Sequence, residues 1–214
     1  MKKTITILVI IGLIVTGRFF YQSYKQQLYF KRALLYELKN GISILDHKLV
    51  SIDKNINEVD LLKEKSQNSI EINEWSLSSI QTDLNWLHTN LTTVSHPEDC
   101  TWKSLQQKDA LTHYTLYELE NLNQAYNHRK ILLETQKDIK SFTNFIPLYL
   151  QNIHSKSTKE KHLELYRFYT DYTMKLTTYR SQIDRTIWYY SIAIEKIDPE
   201  NAFLKTRDSI HKIK

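Results

Sequence analysis

Glycine is almost missing from this sequence. Only three occur in 214 residues, and Gly12 and Gly17 both lie within the first 21, so Gly41 is the only one in the rest of the chain. Tight turns between strands call for residues that tolerate positive φ, chiefly glycine and asparagine. The expectation is therefore an all-α protein. The same scarcity excludes a Gly-rich phosphate loop and a dinucleotide fingerprint, both of which need clustered glycines for backbone to approach phosphate. Prolines are as few, at Pro97, Pro147 and Pro199. The one cysteine, Cys100, rules out an internal disulfide and a lipid-modified N-terminal cysteine.

Catalytic and metal inventories are equally thin. A zinc site needs three or four spaced ligands, whereas here His96 and Cys100 sit four apart beside Pro97, with His88 upstream. There is no His-Glu-x-x-His and no Glu-x-x-His pair of the di-iron kind. Cys100 with His113 and His128 meets only the minimum for a Cys-His pair. The sequence therefore predicts no enzyme, no catalytic or metal residues and no cofactor.

Charge adds a further exclusion. The formal net charge is +5, from 29 basic and 24 acidic residues; setting aside Lys2 and Lys3 leaves 27 against 24. That mild, evenly mixed balance does not suit nucleic-acid binding.

What the chain does have begins at Lys2 and Lys3, then a charge-free run from Thr4 to Gly17, then Arg18, Phe19, Phe20, Tyr21 and Tyr24. Positive charge ahead of an apolar run keeps that end in the cytoplasm and exports the remainder of the chain. A cleaved signal would fit the basic start and a cut near Gly17, but no Ala-x-Ala is present and the peptide would be short. An uncleaved span needs roughly 17–25 residues, reached here if Arg18 snorkels and the aromatics form an interfacial belt. No glycine, proline or serine-rich spacer separates this stretch from the heptad pattern beyond it, which favours the uncleaved anchor.

In that pattern Leu35, Leu38, Ile42, Leu45, Leu49, Ile52, Ile56 and Val59 alternate in steps of three and four, a coiled-coil seam that passes through Asn40-Gly41. This predicts one continuous helix with a soft point at Gly41 and a solvated face of Asp46, Lys48, Asp53, Lys54 and Glu58. Ser66 to Ser69 is expected to turn, with Asn68 and Glu71 as a capping box. A second helix comes next, with Ile70, Leu77, Ile80, Leu84, Leu87, Leu91 and Val94 in register and Asn73 as its polar seam residue. Pro97 breaks it, and two matched seams imply an antiparallel hairpin. A third helix starts near Asp99 or Thr101 and shows no clear boundary before Ile139; Pro147 then kinks or restarts the chain. Ser157 with Glu160 caps a long helix whose broad face runs from Leu163 and Tyr166 to Ile194 and Ile197, and Asp198-Pro199-Glu200 ends it and starts a last one.

At about 1.5 Å per residue, Tyr21 to Lys65 extends roughly 65–70 Å and Ile70 to Val94 only about 35–40 Å. The seam near Leu28 to Leu38 must therefore meet a later helix, a second copy or water. The expected domains are an anchor over 1–21, an extracytoplasmic antiparallel helical bundle or coiled-coil hairpin over 22–198, and a short helix over 199–214.

One composition shift stands out as a candidate interaction surface: Tyr166, Arg167, Tyr169, Tyr172, Tyr179, Arg180 and Trp188. Aromatics interleaved with arginine can stack on a ligand while arginine reads a carboxylate. Helical spacing of 169, 172, 176, 179 and 183 favours core packing instead. The expected function is a single-pass inner-membrane protein with a periplasmic helical bundle that binds an envelope protein, as an assembly factor, linker or immunity-type inhibitor, or self-associates through the seam. The alternative is an extracytoplasmic ligand-binding sensor.

Overall fold

The structure is a computed structural model that describes residues 2–72, 82–83, 97–107, 110–154 and 157–200. It is all-helical, with no strand among the described residues. Helix α1 spans Lys2–Ile72, α2 spans Cys100–Gln107, and a 3-10 turn covers Ala110–His113. Then come α3 (Leu116–Asn144), α4 (Ile146–His154) and α5 (Thr158–Ile197).

Three long helices build the bundle. On α1, Gly41, Lys48, Asp53 and Asp60 meet Tyr190, Tyr179, Arg180 and Thr173 of α5, so the two run antiparallel. On α3, Tyr126 meets Tyr190 while Phe142 meets Tyr172 and Phe168, so α3 is antiparallel to α5 and parallel to α1. The core forms where all three converge, from Leu34, Leu38, Ile42, Leu45, Ile52 and Val59 of α1 through Leu122, Leu132 and Ile139 of α3 to Leu165, Leu176, Ile183 and Ile194 of α5.

The heptad of α1 therefore faces the bundle, but turned by one residue. Leu38, Ile42, Leu45, Ile52 and Val59 are buried, while Leu35, Leu49 and Ile56 are only partly so, and a further flank, Leu34, Gly41, Lys48 and Asn55, is buried as well. Lys48, expected on the solvated face, lies inside. The cause is the size of the α5 side chains. Tyr190 needs the space that a residue without Cβ leaves at Gly41, and that docking rotates α1 toward the flank seven residues apart. Gly41 is accordingly a notch for an aromatic ring and not a soft point. Asp53 stays near the surface in an ion pair with Arg180, Nε to Oδ1 2.5 Å.

The turn expected at Ser66 to Ser69 does not occur, because α1 continues to Ile72. No proline or glycine lies between Ser66 and Ile72, and the buried Ser66 hydroxyl donates to the Lys63 carbonyl at 2.6 Å, satisfying itself within the helix. Asn68, Ile70 and Glu71, expected to cap and open a second helix, lie within α1 instead; of the rest of that expected helix, with Asn73, only Thr82 and Asp83, which are helical, are among the described residues. Among the described residues, the seam of α1 is covered by α5.

The third helix is divided. Between α2 and α3 lie the 3-10 turn and Thr115, which caps α3: Glu118 N–H donates to the Thr115 hydroxyl at 3.2 Å, and Thr115 N–H donates to Glu118 Oε2 at 2.8 Å. That Thr-x-x-Glu box before Leu119 and Leu122 is the sequence signal for this boundary. Pro147 restarts the chain as expected. Without an amide it cannot continue the α3 ladder, so Phe145 stands between α3 and α4 with its N–H on the Phe142 carbonyl. At α5, Ser157 N–H and hydroxyl both donate to Glu160 Oε2, at 3.0 and 2.6 Å. Helix α5 ends at Ile197 with Asp198 as its C-cap, Pro199 and Glu200 form a turn, and the rest of the expected last helix lies outside the described residues.

The first helix shows no break at residue 21, where an anchor would give way to the bundle. Leu13, Ile14, Val15, Phe19, Phe20, Tyr21 and Tyr24 are exposed, outside the bundle. Among the described residues no helix is long and apolar enough to cross a membrane; of the run Thr4–Gly17, residues 4–11 are described in their helical backbone alone.

Candidate functional site

Helix α5 sorts the predicted interaction surface into core and rim. Tyr169 and Tyr172 are fully buried and Tyr179 nearly so. Their spacing places them on the face that carries Leu165, Leu176, Ile183 and Tyr190, which packs on α1 and α3. They lie in the core, the placement that their helical spacing favours. Among the described residues their hydroxyls find no hydrogen-bond partner, and burial pushes all three phenols well above the ordinary tyrosine range.

The remaining members do not form one site. Arg180 holds α5 to α1 through Asp53 and also contacts Asp184 at 2.9 Å. Trp188 is exposed and meets Tyr189 edge-on at 4.7 Å. Arg167 lies 21 residues away from Trp188, about 30 Å along a helix. Tyr166 is half-buried and Arg167 exposed.

Arg167 does border a groove of about 400 Å³ at the far end of the bundle, lined by Phe142, Phe145, Tyr149, Phe168, Glu164 and Asp171 as well. The Pro147 restart makes it, by ending α3 at Phe145 and turning α4 so that Tyr149 faces α5. Phe168 stacks with Phe142 at 5.1 Å and with Tyr149 at 4.9 Å. Lys175 Nζ sits 5.3 Å from the centre of the Phe142 ring. Phe145 is largely exposed. The Tyr149 hydroxyl is buried with no hydrogen-bond partner among the described residues, and burial, reinforced by the Glu164 charge, raises its pKa. An aromatic floor with charged groups at the rim can hold an apolar or aromatic body and orient its polar end.

A second cluster, unmarked in the sequence, sits between α1, α2, α3 and α5. Glu37 is buried. One of its oxygens accepts a short hydrogen bond from the Tyr126 hydroxyl and the other accepts Thr101 N–H at 2.7 Å. Burial and the Glu37 charge hold the Tyr126 phenol far above its usual range. Tyr126 stacks flat on Trp102 at 5.0 Å and leans on Tyr190 at 6.1 Å. Arg129 donates from Nε to the Pro97 carbonyl and from Nη1 to Asp99 Oδ2, each at 2.7 Å. Asp99 also accepts Lys103 N–H on its carbonyl, at the start of α2. These contacts fasten the Pro97 to Thr101 segment onto the bundle. A buried hydrogen-bonded network of this kind holds structure in place.

Cys100 is exposed, while His128 stacks on Tyr189 at 3.9 Å. Burial, aided by the Arg185 charge, lowers the His128 pKa. His88 and His96 lie outside the described residues. Among the described residues no three histidine, cysteine, aspartate or glutamate side chains gather as metal ligands. No protein-family model matches this chain, and neither a curated protein nor a solved structure matches it either.

Proposed function

We propose that this is a single-pass, membrane-anchored interaction protein whose helical bundle stands in the extracytoplasmic space of a bacterial envelope and binds a protein partner. The carrying observation is the course of α1. One uninterrupted helix takes the chain from Lys2, through exposed Leu13 to Tyr24, into the buried seam at Leu34 and Leu38. A helix continuous between anchor and core transmits the orientation of one to the other, which suits a scaffold held upright on a bilayer. The anchor itself rests on the charge-free run after Lys2 and Lys3 and on the exposed aromatics beyond it.

The test is expression in a bacterial cell, extraction of membranes with alkaline carbonate, and N-terminal sequencing. An anchored protein stays in the membrane pellet and begins at its initiator end. Release into the supernatant, or a mature start at Arg18, overturns the anchor.

A second reading, an extracytoplasmic ligand-binding sensor, is favoured by the aromatic groove at Phe142, Tyr149, Phe168 and Arg167. Thermal-shift screening with small aromatic and amphipathic metabolites distinguishes the two. Stabilisation lost on Phe168→Ala supports the sensor; no stabilisation alongside a captured protein partner retires it.

A further inference from the structure

We infer that the outward face of the first half of α1 docks an acidic helix of a second membrane-anchored protein, an inference that rests on the anchor proposed above. Residues 1–36 hold six cations, Lys2, Lys3, Arg18, Lys25, Lys31 and Arg32, and no acid; the first is Glu37. Lys31 turns inward and pairs with Glu118 of α3 at 3.0 Å. Arg18, Lys25 and Arg32, spaced by seven, are exposed and make no ion pair among the described residues. Tyr29 and Tyr36, also seven apart, lie on the same face and are 69% and 73% exposed. Steps of four, three and four from Lys25 to Tyr36 keep all of these on one stripe. The bundle-facing side of this segment, with Phe30, Leu34 and Leu38, is the opposite one.

Two interleaved heptads, one cationic and one of exposed tyrosine, are what a neighbouring helix in side-by-side packing reads. Arginine and tyrosine are also the residues that dominate protein interfaces. Lys25 Nζ lies 4.8 Å from the Tyr21 ring centre, so that cation is already ordered by its neighbour.

Charge and height identify the occupant. Two copies standing parallel in one membrane would set Arg18, Lys25 and Arg32 against their own equivalents, a repulsive pairing. On an upright helix Lys25, Arg32 and Tyr36 stand about 10, 21 and 27 Å beyond Arg18. Lipid headgroups are screened over about 8 Å at physiological salt, so they reach Arg18 but not Arg32. A second anchored helix with acidic residues at seven-residue spacing meets the whole stripe.

The test reconstitutes the full chain in neutral phosphatidylcholine vesicles with a lipid-tethered helical peptide that carries glutamate at every seventh position, and reads association by energy transfer. Binding is expected, weakening as salt rises from about 0.05 M to about 0.5 M, with none to the glutamine version of the peptide. K25E/R32E should reduce it about tenfold or more and Y29A/Y36A about fivefold, with the melting of the bundle unchanged. No association, or association indifferent to K25E/R32E, overturns the docking surface while leaving the anchor standing. Protection of Lys25 and Arg32 from chemical labelling by anionic vesicles without peptide overturns it in favour of a lipid site. A chain that does not enter vesicles overturns the anchor and this inference together.

Discussion

The ring of Tyr190 on α5 occupies the space beside Gly41 on α1 where any other residue would place its Cβ. A Cβ built there lies 2.5 Å from Tyr190 Cε2, 3.1 Å from Cδ2 and 3.3 Å from Pro97 Cβ. Tyr190 cannot retreat easily, because Tyr126 stands on its other side and Tyr190 is 1% exposed. Helix propensity favours alanine over glycine by about 1 kcal/mol, but the overlap reverses the sign.

Gly41→Ala should therefore destabilise the bundle by about 1–3 kcal/mol, the usual range for forcing atoms into a packed core. Urea unfolding measures it. In a Tyr190→Leu background the same change should cost less, because the opposing ring is gone. A Gly41→Ala protein more stable than its parent would contradict the notch.

Lys48 is 3% exposed, and among the described residues its Nζ has no hydrogen-bond partner and lies 5.4 Å from the centre of the Tyr179 ring. Burial lowers its pKa from 10.5 to about 8. The folded state thus disfavours the charged amine, and between these values the unfolded chain holds the extra proton. Stability should consequently rise with pH from about 8 toward 10. Above about 10 the buried tyrosines act in the opposite sense: they stay neutral when folded and ionise when unfolded, so stability falls. Lys48→Met removes the rise and should stabilise the protein by about 1–3 kcal/mol at neutral pH. Denaturation curves across this pH range, compared between parent and variant, check both; a parallel pair of profiles would refute the buried charge.

Glu37 carries two charge-assisted hydrogen bonds in a buried site. Glu37→Gln should cost about 1–3 kcal/mol, and Tyr126→Phe a similar amount, because each leaves the other group short of a partner. The double variant should cost less than the two together, as expected for residues in contact. Strict additivity in a double-mutant cycle would exclude the coupling.

Arg129 reaches the Pro97 carbonyl and Asp99 with two different nitrogens of one planar group. Lysine carries its three donors on one nitrogen and cannot reproduce the planar two-nitrogen fork. Arg129→Lys should speed amide hydrogen exchange over residues 98–103 several-fold and leave the core of α5 unaffected. Equal exchange in the two proteins would show that the segment is held by other contacts.

Much of the helical scaffold can be read from single residues. Ser157 and Glu160 start α5, Pro147 restarts the chain after Phe145, and the apolar steps from Leu38 to Val59 mark the buried face of α1. The end of α1 is less legible, since a polar Ser66 to Ser69 stretch without glycine or proline is compatible with helix once a serine hydroxyl bonds its own backbone. The Thr115 boundary is legible, but in a capping box and not in a breaker. For the candidate site, composition marks Arg167; it does not mark the groove beside it, since Phe142, Tyr149 and Phe168 lie far apart in sequence and meet only because α3 and α5 run antiparallel.

Composition and periodicity alone establish the helical class, through the lack of turn-forming residues, and the continuity of α1 from its apolar start into the heptad. Both rest on local chemistry, which needs no partner. Packing between helices settles the rest: α5 covers the α1 seam, Gly41 receives Tyr190, Lys48 lies inside, and Tyr169, Tyr172 and Tyr179 are core and not surface. Each of these depends on which large ring faces which small residue across two helices more than 100 residues apart, and the period of one helix cannot encode the volume of another.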